Sequence, residues 1–511
     1  MLYLNKIERR CKNKELFEFV NCNKVYNFGL NRVTQQKLYI LQGQKYQMKN
    51  PDGPKNPPLI QMLQWITDPV GYMETAAQRY GDIFTTQVGW NLGPQVFVSN
   101  PQAIGQIFMG EPKQFSPFNE LFNNYAKSFV GEHSLLRIEG QSHRRQRQLL
   151  MPPFHGERMQ AYGVQICSIT ERVMSRLAQN KPFKARDAML DISLEVIFQV
   201  VFGLQSGERC YKLKQLLTAW LDTVSSPAGG TLLLLPFLQR DLGPLSPWRE
   251  FQNLTKELTE QLYAEIRERR QQNDPSGTDI LTLLLSAKDS ENVGMTDEEL
   301  FDDLLTLLAV GHETTATAMA WMLYWVHYHP EVHNKLLEEL DTLDDSLDQM
   351  AISRLPYLTA VCYETLRIYP VVFLNFPHLV REPIEVMGYS LAPGTKVVAC
   401  IYLTHHRQDL YPEPDRFKPE RFLGRQFSPY EYFPFGGGSR RCLGAALAQL
   451  EMKLVLATIL LRYQLALSDN HIVRPQNRLN IILAPAGGVK MVLQGKRRRF
   501  ERPQPSSQLA K

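Results

Sequence analysis

Cys442 is the residue of this 511-residue chain best placed to do chemistry. It follows Phe435-Gly436-Gly437-Gly438-Ser439-Arg440-Arg441 and precedes Leu443-Gly444. Beyond it, Leu443, Leu447, Leu450, Leu454, Ala457 and Leu461 recur at alternating spacings of four and three. That pattern predicts a helix over 443–462 with one face packed inward. Cys442 thus stands at a helix N-terminus beside two arginines, and both features favour thiolate over thiol. A thiolate there is a nucleophile or a metal ligand. The glycines before it allow backbone to approach a large flat object closely. Taken singly, a cysteine after a Gly-rich turn is more often just a small buried side chain. A second polar set, Gly311-His312-Glu313-Thr314-Thr315, follows the apolar run Leu304–Val310. Such a set inside a buried helix is costly unless satisfied or used, and threonines can satisfy themselves on their own helix carbonyls.

The elements that must position these residues are also legible. A helix over 297–329 starts at Thr296 with Glu299 three residues on, a capping box, and Pro330 follows its end. At 1.5 Å per residue it is about 50 Å long, enough to cross the whole body. A helical pattern covers Leu59–Tyr80, and β signals occupy Ile83–Val88 and Gln95–Ser99. The chain reads mostly helical from about 101 to 370, then as strands over 383–404 around the turn Ala392-Pro393-Gly394-Thr395. Further strands are expected at 464–468 and 489–494. The class is mainly α with a smaller β portion (α+β), made from both ends of one unit. Residues 48–494 form that unit, with a basic extension or mis-called start at 1–47 and a basic tail at 495–511.

The string Phe435–Gly444 agrees at every fixed position with Phe-x-x-Gly-x-Arg-x-Cys-x-Gly, the haem-binding loop of the cytochrome P450 family, and the sequence resembles that family. Glu364-Thr365-Leu366-Arg367 is similar to its Glu-x-x-Arg, and Phe417-Lys418-Pro419-Glu420-Arg421-Phe422 to its Pro-Glu-Arg-Phe element. Val310-Gly311-His312-Glu313-Thr314 is similar to its central-helix motif, except that Val310 replaces a small residue. The resemblance implies a long central helix over haem b, with Cys442 as axial thiolate to the iron. It implies that Glu313 and Thr314 relay protons for O–O cleavage, and that Val310 narrows the oxygen pocket. Phe435, Gly436 and Gly444 would shape the haem seat, with Arg440, His143 and Arg147 serving its propionates. His378 is read either as another propionate contact or as a satisfied loop histidine. Glu364, Arg367 and Arg421 would lock the fold. Leu305, Ala309, Val372, Phe373, Leu374 and Ala484 fall where the family has its substrate walls, and the apolar Gly229–Leu238 where it has its entrance.

The implied activity is a monooxygenase placing one oxygen atom into a fatty acid, alkane or terpene. A peroxide-driven hydroxylase of the same fold and a non-catalytic haem carrier are the alternatives; the former usually has Arg-Pro where Glu313-Thr314 stands. Only 69 residues follow Cys442, so electrons are expected from a separate ferredoxin or flavodoxin and its reductase, docking near Arg144, Arg145 and Arg441. Charge excludes other partners. The net charge is +5, but residues 1–47 carry +6 and 495–511 carry +5, leaving the body at −6. Basic ends on an acidic body offer no uniform face for nucleic acid. Seven scattered cysteines without a Cys-x-x-Cys pair fit a reducing cytoplasm rather than a disulfide framework. No apolar stretch approaches the roughly 18 residues of a transmembrane helix. A cytoplasmic monomer, at most peripheral at a membrane surface, is expected.

Overall fold

The computed structural model describes residues 50–497, apart from 89–92, 117–129, 157, 204–207, 226–238, 240–242, 244–245, 273–276, 344–347 and 479–480. The expected extension at 1–47, the entrance segment Gly229–Leu238 and most of the basic tail lie outside the described residues.

Two short helices open the described chain, α1 (Pro58–Thr67) and α2 (Pro69–Tyr80). One helix was expected here. Pro69 disfavours helical backbone at Asp68, which instead turns out and caps α2 by accepting from the Gly71 amide at 2.9 Å. Strands β1 (Ile83–Thr86) and β2 (Gln95–Val98) follow, then α3 (Pro101–Met109) and β3 (Phe115–Ser116). The helical body contains α4 (Gly140–Leu150), α5 (Arg158–Ser175), β4 (Pro182–Lys184), α6 (Ala185–Phe202) and α7 (Glu208–Ser225). It continues through α8 (Pro247–Gln272), α9 (Ile280–Ser286), α10 (Asp297–Tyr328), α11 (Pro330–Leu340), α12 (Gln349–Ser353) and α13 (Pro356–Ile368). Strands β5 (His378–Val380), β6 (Ile384–Val386), β7 (Tyr389–Leu391) and β8 (Lys396–Ala399) come next, then α14 (Ile401–His405). The last elements are α15 (Ala445–Arg462), β9 (Tyr463–Leu467), β10 (Pro475–Arg478), β11 (Ile482–Pro485) and β12 (Lys490–Lys496).

The main sheet has the order β1-β2-β8-β5-β3, with β2 and β8 parallel and the other pairs antiparallel. It joins strands from before and after the helical body, as expected. Two expectations fail locally. Ile401–His405 is helical rather than strand, because residues buried on every side carry no period to distinguish the two. The β10–β11 hairpin was not foreseen, since Pro475-Gln476-Asn477-Arg478 lacks the branched and aromatic residues that mark strands.

Helix α10 has both halves of the predicted capping box at Thr296 and Glu299, and its flanks are buried along most of their length. Gly311 explains one close approach: a Cβ there would lie 3.3 Å from Ile197 Cδ1 of α6. Among the described residues no helix is long and apolar enough to cross a membrane. Helix α1 is inverted relative to an ordinary surface helix, exposing Leu59, Ile60, Leu63 and Ile66 while burying Gln61.

The expected locking residues meet. Arg367 grips Glu364 through two bonds of 2.7 and 2.8 Å, and both side chains are 0% exposed. Arg421 Nε adds a bond to Glu364 Oε1 at 3.1 Å, and the Lys418 amide adds another at 2.8 Å. Arg367 also donates to the carbonyls of His405 and Arg416. Removing one partner of a buried pair strands the other charge and costs about 3–5 kcal/mol. Glu364→Ala is therefore expected to lower the unfolding free energy read from urea titration by that order, whereas Glu413→Ala, in an exposed pair with Arg416, changes it little.

Candidate functional site

The loop before α15 is closed by the Cys442 amide donating to Phe435 O at 2.9 Å and the Gly436 amide donating to Phe433 O at 2.9 Å. Gly436 and Gly438 both have positive φ, and a Cβ on Gly437 would lie 2.2 Å from Phe108 Cε2. The glycines thus serve the turn and its packing on α3. Gly444 caps α15 and its amide bonds the Cys442 sulfur. A Cβ on Gly444 would meet no atom within 4 Å, so open space lies beside the cysteine.

Cys442 has accessible surface although protein surrounds it deeply enough for burial to dominate its ionisation. A side chain in that situation faces an internal cavity. Burial pushes its thiol up, against the lowering effects of the Gly444 amide, Arg147 and Arg441. The helix terminus and the arginines do act in the expected direction, towards the thiolate, and burial acts against them. The arginines are also occupied. Arg440 donates to Leu135 O at 2.6 Å and to Ile138 O, and Arg147 donates to Arg441 O at 2.7 Å. Among the described residues no three His, Cys, Asp or Glu side chains group as a metal site. Cys442 is a lone donor, which suits an iron whose other ligands come from a macrocycle.

Two buried histidines flank this loop. His143 of α4 has no partner at Nε2, and its pKa is pushed down to about 4 by burial and by the charges of Arg440 and Arg147. His378 of β5 contacts Glu111 Oε1 through Nε2 at 2.5 Å, while its buried Nδ1 has no partner. One nitrogen of His378 is thus satisfied and the other is not. These two orphaned nitrogens, near a lone cysteine facing a cavity, fit the acidic groups of a haem.

On α10, accessible surface persists at Leu307, Ala309, Val310, Gly311 and Thr314, largely one stripe of an otherwise buried segment. Val310 is 45% exposed. Thr314 Oγ donates to Val310 O at 2.7 Å, and Thr315 does the same to Gly311 O. Glu313 is buried and accepts from Arg186 of α6 at 2.6 Å and Arg478 of β10 at 3.2 Å. The expected substrate walls separate into two sets. Ala309, Val372 and Leu374 keep accessible surface. Leu305, Phe373 and Ala484 are sealed. Leu305 lies off the accessible stripe, Phe373 packs against Trp65 with ring centroids 5.6 Å apart, and Ala484 is paired in the β10–β11 ladder.

Several contributors escaped the sequence reading. Asp302 and Asp303 of α10 hold the amides of His133 and Leu135, at 2.7 and 2.9 Å, and Asp303 also accepts from Gln146. Burial pushes Asp303 up to about 7. Residues 133–138 thus strap α10 to Arg440. Glu111 and Arg186 were also missed, because only folding brings such distant positions together. Arg145, expected at a docking surface, instead pairs with Asp289 and Glu299 at 2.6 and 3.0 Å. Arg144 and Arg441 remain exposed. A cleft of about 300 Å³ is lined by Arg144 together with His143, Arg147, Gln148 and Ser439.

Fold and site define a haem-thiolate protein. The family model described as Cytochrome P450 matches residues 51–492. Similar proteins of Mycobacterium tuberculosis include two named "Putative cytochrome P450" 135B1 and 138. The first is 34% identical over 445 residues, covering 86% of this chain and 90% of the relative. The second is 32% identical over 452 residues, covering 87% and 96%. The solved structure of retinoic acid-bound cyanobacterial CYP120A1 matches with a TM-score of 0.75 at 24% identity, over 88% of this chain and 100% of that one. The haem domain of cytochrome P450DA matches at 0.77 and 21%, over 89% and 100%. The chain belongs to the cytochrome P450 family, a family of haem-iron proteins whose general activity is haem-thiolate monooxygenation.

His312, next to the site, is buried with Nδ1 unpartnered, and burial, with Arg186 nearby, pushes its pKa down to about 4 against the opposing effect of Glu313. Unfolded histidine takes up its proton near pH 6.5, so this residue removes stability as pH falls from 6.5 towards 4 and has no further effect below. His312→Gln is expected to flatten the acid limb of stability, by roughly 3 kcal/mol at pH 4. Urea midpoints measured against pH check this.

Proposed function

We propose that this chain is a monooxygenase placing one atom of dioxygen into a lipophilic substrate (a fatty acid, alkane or terpene), with electrons from a separate ferredoxin or flavodoxin and its reductase. The observation carrying the proposal is the pairing of a cavity-facing Cys442 with an accessible, apolar stripe on α10 that ends at Thr314. Cys442 would hold the haem iron through its sulfur in this reading. Phe435, Gly436 and Gly444 would shape the loop around it, and His143 and His378 would meet the acidic groups of the haem beside Arg440 and Arg147. Bound haem supplies the redox chemistry that activates dioxygen toward a C–H bond.

The protein's own part is to place the substrate and move protons. Leu307, Ala309, Val310, Val372 and Leu374 present apolar surface without charge, which supports a lipophilic ligand and excludes water from around it. Thr314 holds its proton on Val310 O and releases it by rotating about its side-chain bond. Glu313 feeds that hydroxyl only after loosening its hold on Arg186 or Arg478. Arg144 and Arg441 offer positive charge to an acidic electron carrier.

The proposed organisation is a single monomeric domain over 48–494 between a basic extension and a basic tail, in the cytoplasm and peripheral at the membrane. The apolar face of α1 supports association with a lipid surface, which would also concentrate a lipophilic substrate.

The reduced, carbon-monoxide-bound protein is expected to show the thiolate-type Soret band, and Cys442→Ser to lose it. Thr314→Ala is expected to keep that band while product per electron pair falls by about tenfold or more and peroxide rises, general acid catalysis being worth that much. Unchanged product with no peroxide would remove the relay role. Leu59→Glu with Leu63→Glu is expected to abolish co-sedimentation with lipid vesicles and leave the spectrum intact; equal sedimentation of both proteins would end the peripheral assignment.

A further inference from the structure

Glu111 lies just beyond α3, far in sequence from every motif of the site, yet its buried carboxylate touches two of them. Oε1 meets His378 Nε2 at 2.5 Å. Oε2 accepts from the Ser439 amide at 3.1 Å and from the Ser439 hydroxyl at 2.5 Å. Ser439 belongs to the short turn Gly438–Arg440, which has no side-chain cap of its own. The space is tight: a Cβ on Gly438 would lie 3.2 Å from each carboxylate oxygen, and Gly438 already has a positive φ of 64°. Phe108, from the same end of α3, packs against Gly437 and sits 5.8 Å from the His378 ring. The end of α3 is thus the floor on which the cysteine loop rests, and Glu111 is its polar fastening.

We propose that Glu111 is a positioning residue that couples the haem seat to the thiolate loop, holding His378 so that Nδ1 is offered to a propionate while capping the turn that leads to Cys442. The proposal rests on the haem reading above. Burial opposes charge on Glu111, but hydrogen bonds from His378 and Ser439 outweigh it and hold the carboxyl below its usual range. His378 Nε2 is engaged by Glu111 while its buried Nδ1 has no partner, so the contact fixes the ring with Nδ1 left over for a haem propionate. The two carboxylate oxygens divide the work, Oε1 on His378 and Oε2 on Ser439. Glutamine at 111 offers one acceptor oxygen in place of two, so it cannot accept from both sides at once.

The test uses purified holoprotein in wild-type, Glu111→Gln, His378→Gln, Glu111→Gln/His378→Gln and Ser439→Ala forms. Haem transfer to excess apomyoglobin and the ferrous carbon-monoxide spectrum are measured for each, with thermal melting as the folding control. Losing a charge-assisted hydrogen bond in a buried site is expected to speed haem loss about tenfold or more in Glu111→Gln and in His378→Gln. The double variant is expected to lose haem no faster than the worse single variant, because Glu111 acts through His378. Ser439→Ala is expected to reduce the share of the thiolate-type Soret band with a smaller effect on haem loss. Wild-type haem retention and spectrum in Glu111→Gln would overturn the proposal, as would multiplicative effects in the double variant. If Glu111→Gln does not fold, the two arms are still separated by His378→Gln and Ser439→Ala, and an identical signature from both would overturn the coupling. Absence of the thiolate-type band from wild-type protein would instead sink the haem reading, and the proposal with it.

Discussion

Everything near the cysteine loop depends on one carboxylate that has no water. Glu364 is fully buried, so its charge must be met entirely by protein, and Arg367, Arg421 and the Lys418 amide meet it. Arg367 then has donors left over, and they take the carbonyls of His405 and Arg416. His405 is itself buried and kept neutral, first by burial and then by the charge of Arg367, so its Nε2 is free to accept from the Phe433 amide at 3.1 Å. Phe433 begins the loop that ends at Cys442. A single desolvated charge is thus transmitted through three hydrogen bonds to the place where the cysteine loop leaves the core. The cost of breaking any link is high because each sits where water cannot substitute.

The same logic explains why so many cations around the site do not act as free charges. Arg440 and Arg147 were expected to bind a ligand, Arg145 to dock a partner and Arg186 to do nothing in particular, and each is found holding backbone carbonyls or a carboxylate. Their first task is to define where the strap 133–138, α4, α6 and α10 meet. The histidines provide the contrast, because His143 and His378 each keep one nitrogen in reserve. A site built to receive a large anionic group needs both kinds of residue. The arginines keep its walls in place, and the histidines remain able to form a new bond.

Local chemistry made part of this legible from sequence. The cysteine string, the capping box on α10 and the Glu364–Arg367 spacing are short-range patterns whose meaning survives without coordinates. The break between α1 and α2 is equally local, but the continuous apolar pattern over Leu59–Tyr80 masked the signal that Pro69 carried. The substrate walls were harder. Successive residues on a helix turn by about 100°, so an error of one position in phase exchanges a lining residue for a core residue. That is how Leu305 was singled out from the apolar run 304–309, although Leu307 is the leucine there that keeps accessible surface. Glu111, Asp303 and Arg186 lay beyond reach for another reason. Their partners are 267, 168 and 127 residues away in sequence, and an isolated acid or base in a helical stretch reads as an ordinary solvated residue until the chain is folded.

Val310 has a consequence of a different kind. Its side chain supports no core cluster and its carbonyl, which Thr314 uses, belongs to the backbone and is indifferent to what the side chain is. Valine codons are one base from those of alanine and glycine, the small residues usual at this point in the family. The surface that α10 presents here can therefore lose two methyl groups by a single nucleotide change that leaves the Thr314 hydrogen bond and the core clusters intact. Few positions on this helix can change so much in size at so small a cost to the fold.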